Sequence, residues 1–415
     1  MGEISTAVKM ELGMSEQRPI RAKSGANHEG TSAHNRRVII DALRVNGALS
    51  RADLARATGL TKQAVSNLIE TLEGDGLVAS EELVRKGRGQ PSTPYRLVAD
   101  GAYSIGLQID RHISRVIVVD LVGNILARAT AKVPPRAPEE GVAVLLDLVA
   151  GVRAAFAAGR PDAEARIAGI GVAMPGPFGV EIADDSLWLM QAWQSFPLVE
   201  RLAAGTGLAV SLQNDAAACA TAERMLGAAH GLDHAVCIYV GYGIGAGLIL
   251  GGELYSGGHG NAGEIGMVLF GEPDELVPLE HRASIASLYA LVGIDPADPG
   301  QFDRLEALVA AGDRRVADWI GRAARDLRRA VHTAETLFDP QTVILSGGVP
   351  GALMPALVAA IEPLLPSLSP TAGRAVPRLR LGMTDPWAVA IGAAADPIRR
   401  AFDPSFSAIL KRQGE

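Results

Sequence analysis

Apolar positions recur at helical spacing through the first hundred residues and in short β-like runs thereafter. Val38, Ile39, Ala42 and Leu43 mark one face of a helix that Asn46-Gly47 ends. Ser50 is a natural N-cap for a short helix over 51–58, with Asp53 placed where a capping box sets its acid. Gly59 suits the positive φ of a tight turn, and Thr61 caps a third helix whose Val65, Leu68, Ile69 and Leu72 face inward. Leu77-Val78 begins a β segment, Lys86-Gly87-Arg88-Gly89 turns it, and Tyr95 to Val98 returns. The sum predicts a winged helix-turn-helix over 34–98, preceded by a disordered leader at 1–33 that has no apolar run.

Beyond about residue 103 the pattern becomes one of strands alternating with helices. Apolar β runs fall at 105–109, 116–120, 167–173, 209–212, 235–239, 246–250 and 342–345, with a turn at Gly123-Asn124 and a helix over about 139–158. An arginine-rich amphipathic helix at 313–329 suggests a solvated face or a subunit contact. Such alternation predicts an α/β body spanning 103–400. Two β-rich starts, near 104 and near 235, fit two related halves.

Composition narrows this. Across 415 residues, 48% hydrophobic and 20% charged, the chain has material for buried cores, unlike a disordered protein. The net charge of −7 argues against coating nucleic acid along the whole length. Its distribution matters more: 34–98 hold ten Lys and Arg against seven Asp and Glu, so that segment is +3 and the remainder −10. Cys219 and Cys237 are too few for a disulfide framework, which favours a reducing, cytoplasmic setting. The leader carries four charges of each sign and no signal-peptide core, and the apolar stretch at 142–150 is too short to span about 30 Å of hydrocarbon. No membrane partner is expected.

The basic module presents Thr61, Lys62, Gln63, Ser66 and Asn67 near the N-terminal end of its third helix, the end that enters the major groove in a helix-turn-helix. Gln and Asn pair bidentately with adenine and Lys with guanine. Lys86 and Arg88 lie on the hairpin tip, where arginine suits a narrow minor groove. The other reading of the same face is a protein-contact module.

In the body, glycine clusters mark sharp bends: Gly241 to Gly247, Gly257 to Gly266, Pro175-Gly176-Pro177 and Ser346-Gly347-Gly348. Asn214-Asp215 follows one strand and opens a helix, at the carboxyl end where ligand sites gather in open α/β sheets. The run from Gly243 to Gly266, with Asn214-Asp215, Glu223 and Ser346-Gly347-Gly348, resembles the ROK family (repressors, open reading frames and kinases). The resemblance implies a two-lobed, actin-like sugar-kinase fold from about residue 103, behind the winged helix of the family's repressor branch.

The resemblance also assigns roles. Sugar-hydroxyl contacts fall on Asn214, Asp215, Glu264 and Glu280, with Gly176 in the adjoining loop; His259 is a further candidate. Simple helix capping is the competing account of Asn214, Asp215 and Glu280. Family kinases hold ATP phosphates in an Asp-x-Gly-Gly-Thr loop, but here the stretch reads Gln108, Ile109, Asp110, Arg111, His112. An acidic side chain and two added Cβ atoms disfavour phosphate, so neither ATP nor kinase activity is expected, and Asp215 is left as a vestigial base position. The family's zinc motif is missing: Met267 stands in place of its histidine and 268–279 hold no cysteine, so no metal is expected. Together these imply a DNA-binding transcriptional regulator, a homodimer or homotetramer on an inverted-repeat operator, with a sugar or sugar derivative as effector. A sugar kinase with a fused DNA-binding module is the alternative.

Overall fold

A computed structural model describes residues 28–81, 93–111, 113–160, 162–178, 190–271, 276–296, 298, 300–368 and 374–401. The wing residues Lys86 and Arg88, and His112, lie outside the described residues.

The N-terminal module is built from α1 (His28–Asn46), β1 (Leu49–Ser50), α2 (Arg51–Thr58), α3 (Lys62–Gly74), β2 (Val78–Ser80) and β3 (Pro94–Leu97). One boundary differs from expectation: α1 already begins at His28, so the leader does not run to residue 33 as a non-helical segment. Local chemistry explains the turns. The Ser50 side chain accepts from the Asp53 N–H at 3.2 Å while the Asp53 carboxylate accepts from Ser50, completing the capping box. Gly59 takes φ 70° at the end of α2, and Thr61 caps α3 by accepting from the Ala64 N–H. The strands form a three-stranded sheet in the order β1-β3-β2, and Leu49 pairs with Tyr95.

The body contains two sheets of the same design. The first lobe has β4 (Tyr103–Gln108), β5 (Ser114–Asp120), β6 (Ile125–Ala131), α4 (Pro138–Ala157), β7 (Ile167–Met174), α5 (Gln191–Gln194), α6 (Leu198–Thr206) and β8 (Val210–Asn214), in the order β6-β5-β4-β7-β8. After α7 (Asp215–Leu226) the second lobe begins with β9 (Ala235–Val240), β10 (Ile244–Leu250), β11 (Glu253–Tyr255), β12 (Leu269–Phe270) and β13 (Val277–Pro278). It continues with α8 (Glu280–Ala283), α9 (Ile285–Val292), α10 (Gln301–Ala310), α11 (Arg314–Phe338), β14 (Thr342–Ser346), α12 (Leu353–Ile361) and β15 (Leu379–Leu381). Its main sheet is ordered β11-β10-β9-β14-β15. Each sheet is thus an antiparallel three-strand meander extended by two parallel strands. The last helix, α13 (Ala388–Ala401), returns to pack on α7 and the first sheet.

Missing side chains make that packing flush. A Cβ on Gly106 would lie 2.0 Å from the Ala390 carbonyl oxygen of α13, and one on Gly171 1.8 Å from that of Ala393. Each lobe buries its own apolar cluster, around Ile105, Leu145 and Phe156 in the first and Ile238, Leu288 and Trp319 in the second. The arginine-rich helix is longer than its amphipathic signal suggests. Val316, Trp319, Ala323, Leu327 and Val331 of α11 face the second core, and only the opposite face carries the arginines outward. Among the described residues no helix is long and apolar enough to cross a membrane.

Candidate functional site

Strands β4, β7 and β8 are parallel, so their carboxyl ends open on one edge and deliver Arg111, Gly176 and Asn214 to the same place. The second lobe meets them with Tyr239, Gly243, Gly245, Glu264 and Glu280. The site therefore lies between the lobes, and five of the six expected effector positions (Gly176, Asn214, Asp215, Glu264 and Glu280) line it together. His259 is exposed on the loop after β11 and is not among the lining residues.

Close packing holds the carboxylates in place. Asn214 caps α7, its side-chain oxygen accepting from the Ala216 N–H at 2.7 Å and the Ala217 N–H at 3.4 Å, while its amide donates to Glu264 at 3.4 Å. A side chain at Gly176 would break this pair: its Cβ would lie 2.6 Å from the Asn214 Nδ2 and 3.0 Å from the Glu264 Oε1. Gly263, at φ 94°, seats the Glu264 loop flush on β10, where a Cβ would come 1.8 Å from the Ala246 carbonyl oxygen. Glu280 begins α8 and accepts from the Ile244 N–H at 3.5 Å. Capping thus accounts for one face of Asn214 and for the Asp215 oxygen that accepts from the Ala216 N–H at 2.8 Å, while the Glu264 and Glu280 side chains make no capping bond and line the cleft.

Burial dominates the electrostatics. It pushes the Glu264 carboxyl up to about 7, with the Asp215 and Glu280 charges adding to it. Glu280 also rises to about 7 through burial, against the Ile244 N–H and the Arg111 charge, which lower it. Asp215 is pushed up to about 6, by burial first and then by Asp110. Each carboxylate is an acceptor matched to a sugar hydroxyl, and each sheds part of its charge near neutrality.

Sequence reasoning did not assign Arg111 to the site. It read this residue only as an obstacle to phosphate, yet Arg111 is 5% exposed and its guanidinium lies 4.7 Å over the Tyr242 ring, inside the cleft. The available signal was a charged residue directly after a buried strand. Gln108 is also buried, and its Oε1 has no hydrogen-bond partner among the described residues. These side chains do not fit a nucleotide-phosphate loop, which needs close, unobstructed backbone N–H groups. Where the resemblance implied zinc, the chain forms a short hairpin instead. Leu269 pairs with Pro278 and Phe270 with Val277, and the described residues between Val268 and Leu279 carry no nitrogen or sulfur ligand.

In the N-terminal module, Thr61, Lys62, Gln63 and Asn67 are exposed at the start of α3, and Ser66 is half-buried. The Gln63 amide donates to the Asn67 side-chain oxygen at 2.9 Å, so the two amides form one prepared surface. Arg51 sits 5.3 Å over the Tyr95 ring and 3.9 Å from Glu70 of α3, a contact between α2 and β3 that spacing alone did not reveal.

A winged helix-turn-helix joined to a two-lobed actin-like body, with a carboxylate cradle between the lobes, defines the class of a DNA-reading protein with a built-in small-molecule cleft. Residues 104–395 match the ROK family and residues 38–89 the MarR family. The chain belongs to the ROK family. The Sinorhizobium fredii protein y4fQ is 31% identical over 380 residues, 89% of this chain and 91% of that one. The Bacillus subtilis protein named xylose repressor is 27% identical over 241 residues, 56% of this chain and 59% of its own. Among solved structures, a ROK family transcriptional regulator, a homologue of the Escherichia coli MLC protein, superposes with a TM-score of 0.65 at 22% identity. The match covers 90% of this chain and 97% of that one and establishes the shared fold.

Proposed function

We propose that this ROK-family DNA-binding regulator acts as a repressor of carbohydrate-related genes, released or retuned by a sugar or sugar derivative bound between its lobes. The observation that carries this reading is the convergence of Gly176, Asn214, Asp215, Glu264 and Glu280 on one cleft, with Asp215 opening the same helix that Asn214 caps. Carboxylates and an asparagine set around a small space orient a polyol through its hydroxyls. The α3 face, Thr61 to Asn67, reads the major groove, and the wing with Lys86 and Arg88 adds minor-groove or phosphate contact. A homodimer or homotetramer places two winged helices on an inverted-repeat operator in the cytoplasm.

We read the protein as a regulator and not as an enzyme, with neither ATP nor zinc as cofactor. Gln108, Asp110 and Arg111 take the places of phosphate-cradling residues, and Arg111 fills part of the cleft. The kinase reading keeps one point in its favour, since Asp215 still faces the cleft with a carboxyl raised toward that of a general base. Two measurements test the proposal together. A melting screen over sugars and sugar derivatives should find a stabilising ligand, by about 2.7 kcal/mol at a hundred times Kd, and the same ligand should change operator affinity. If no compound does either, the effector reading fails; ATP consumption with any sugar would establish the kinase instead.

A further inference from the structure

At the mouth of the cleft one side chain bonds directly to the backbone of the opposite lobe. Asn261 is half-buried in the loop between β11 and Glu264. Its Oδ1 accepts from the Phe178 N–H and its Nδ2 donates to the Phe178 carbonyl, each at 3.1 Å. The side-chain amide thus satisfies both backbone groups of one residue, as a neighbouring strand would.

Both ends of this pair are anchored in their own lobes. The Asn261 loop is closed by the Ala262 N–H, which donates to the Ser256 carbonyl at 3.2 Å, and tied to β10 by the Ala246 N–H, which donates to the Gly263 carbonyl at 2.7 Å. On the other side Phe178 packs against the apolar cluster of the first lobe, and the Gln194 amide donates to the Pro175 carbonyl at 3.0 Å. Each loop also carries a cradle residue: Gly176 lies two positions before Phe178, and Glu264 three after Asn261.

Other contacts cross the cleft, Asn214 with Glu264 at 3.4 Å and Arg111 over the Tyr242 ring at 4.7 Å. The first uses groups that a sugar would engage, and the second is a stack that tolerates sliding. The Asn261 pair takes up no group of the cradle, so a ligand can enter without competing for it. Its two aligned bonds weaken steeply once the loops shift. We propose that Asn261 is a positioning residue that latches the lobes together at the cleft mouth, holding Gly176 against Glu264 so that the cradle is formed before a ligand arrives. The lobes stay joined on the far side, where α7 packs on α13 and β10, and unlatching opens the mouth about that packing. A cradle formed in advance spares the ligand the cost of ordering it. The importance of the latch to an effector rests on the reading of the cleft as the effector site, whereas the latch itself belongs to the free chain.

The test therefore reads lobe spacing in the full chain without ligand. Nitroxide labels at Ala150→Cys on α4 and Ala307→Cys on α10 occupy exposed positions of the two lobes, and the native Cys219 and Cys237 are buried and stay unlabelled. Pulsed electron resonance on labelled chain diluted with unlabelled chain gives the distance between them. The parent should show one distance. Asn261→Asp keeps the shape and the acceptor but sets a carboxylate oxygen against the Phe178 carbonyl, and Asn261→Ser is too short to reach both groups. In each variant at least half of the molecules should move to a longer distance, and either one decides the question should the other fail to fold. Variants that keep the parent distance overturn the latch, even if they unfold at lower urea, because a merely structural Asn261 would behave in that way. A parent already spread over both distances overturns it too. None of these outcomes touches the effector reading, which fails only if the melting screen finds no ligand.

Discussion

Arg37, on α1 of the winged helix, is ion-paired with Glu253 on β11 of the second lobe. Glu253 is also 3.5 Å from Arg399 of α13, and Asp41 of α1 lies 3.9 Å from Arg224 near the end of α7. The hydrophobic core of the winged helix, meanwhile, takes in Ala102 and Leu121 of the first lobe together with Ile398 of α13. The DNA reader is therefore seated on both lobes, at the end of β4 that is remote from the cleft. Helix α7 spans the distance: it starts at the cradle with Asp215 and ends beside α1, about 18 Å away by its twelve residues.

This arrangement predicts how effector binding reaches DNA. A ligand that changes the spacing of the lobes must either stretch the Arg37–Glu253 contact or move the winged helix, and only differential affinity for the two arrangements can drive the change. Glu253→Gln removes a half-buried carboxylate shared by Arg37 and Arg399 and should cost about 1–3 kcal/mol of stability. Operator affinity without ligand should stay within about threefold, while the ratio of affinities with and without effector should shrink. Fluorescence anisotropy on a labelled operator measures both, and an unchanged ratio would remove Glu253 from the coupling.

The DNA face gives a second prediction. On the proposed reading of α3, Gln63→Ala removes an amide facing the bases and the hydrogen-bond partner of Asn67, so it should cost about 1–3 kcal/mol on the specific site and less on unrelated DNA. Lys62→Ala should weaken both alike and lower the slope of log affinity against log salt by about one. Titrations at several salt concentrations separate the two effects. Equal losses on specific and unrelated DNA for Gln63→Ala would place it on the backbone instead.

Much of this was legible because the chemistry is local. Ser50 with Asp53, the Thr61 cap and the positive φ of Gly59 each depend on neighbours within four residues, and the buried strands announce themselves as apolar runs. β6 was missed for the opposite reason. Ile125 to Ala131 is an edge strand with three of its seven positions exposed and none buried, and beyond Ile125 and Leu126 it is Ala, Arg and Thr, so little in it resembles a buried run. The cradle residues were found through a family resemblance, and the physical reason for their spacing emerges only from packing, as with the absent Cβ of Gly176. Arg111 could not be placed from sequence because its partner, Tyr242, comes from the other lobe.

Gly176→Ala should be a specific lesion of the cleft. The added methyl group collides with the Asn214 amide and the Glu264 carboxylate, both of which the proposed ligand needs. Effector affinity should fall at least tenfold, about 1.4 kcal/mol, while operator binding without effector is retained. Gly258→Ala, where a Cβ meets nothing within 4 Å, serves as the silent control on a neighbouring glycine cluster. Comparable losses in the two variants would show that the effect is not steric exclusion from the cradle.

The raised carboxyls predict opposite pH trends for stability and for ligand binding. Glu264 moves from an ordinary 4.5 to about 7 in the folded protein, chiefly through burial. Its contribution to stability is therefore fully present below pH 4.5 and is lost as pH rises through 7. Glu264→Gln cannot ionise, so at pH 8 the variant should be more stable than the parent by about 1–3 kcal/mol, and most of that advantage should be gone at about pH 4.5. Urea unfolding of both proteins at the two pH values reads the difference directly. Binding runs the other way, because an ionised Glu264 is the better acceptor for a sugar hydroxyl: affinity should increase between pH 6 and 8 in the parent and less steeply in the variant, where Glu280 and Asp215 still titrate. A stability gap that does not change with pH would mean that Glu264 is ionised in the folded cleft throughout, with a carboxyl no higher than that of the unfolded chain.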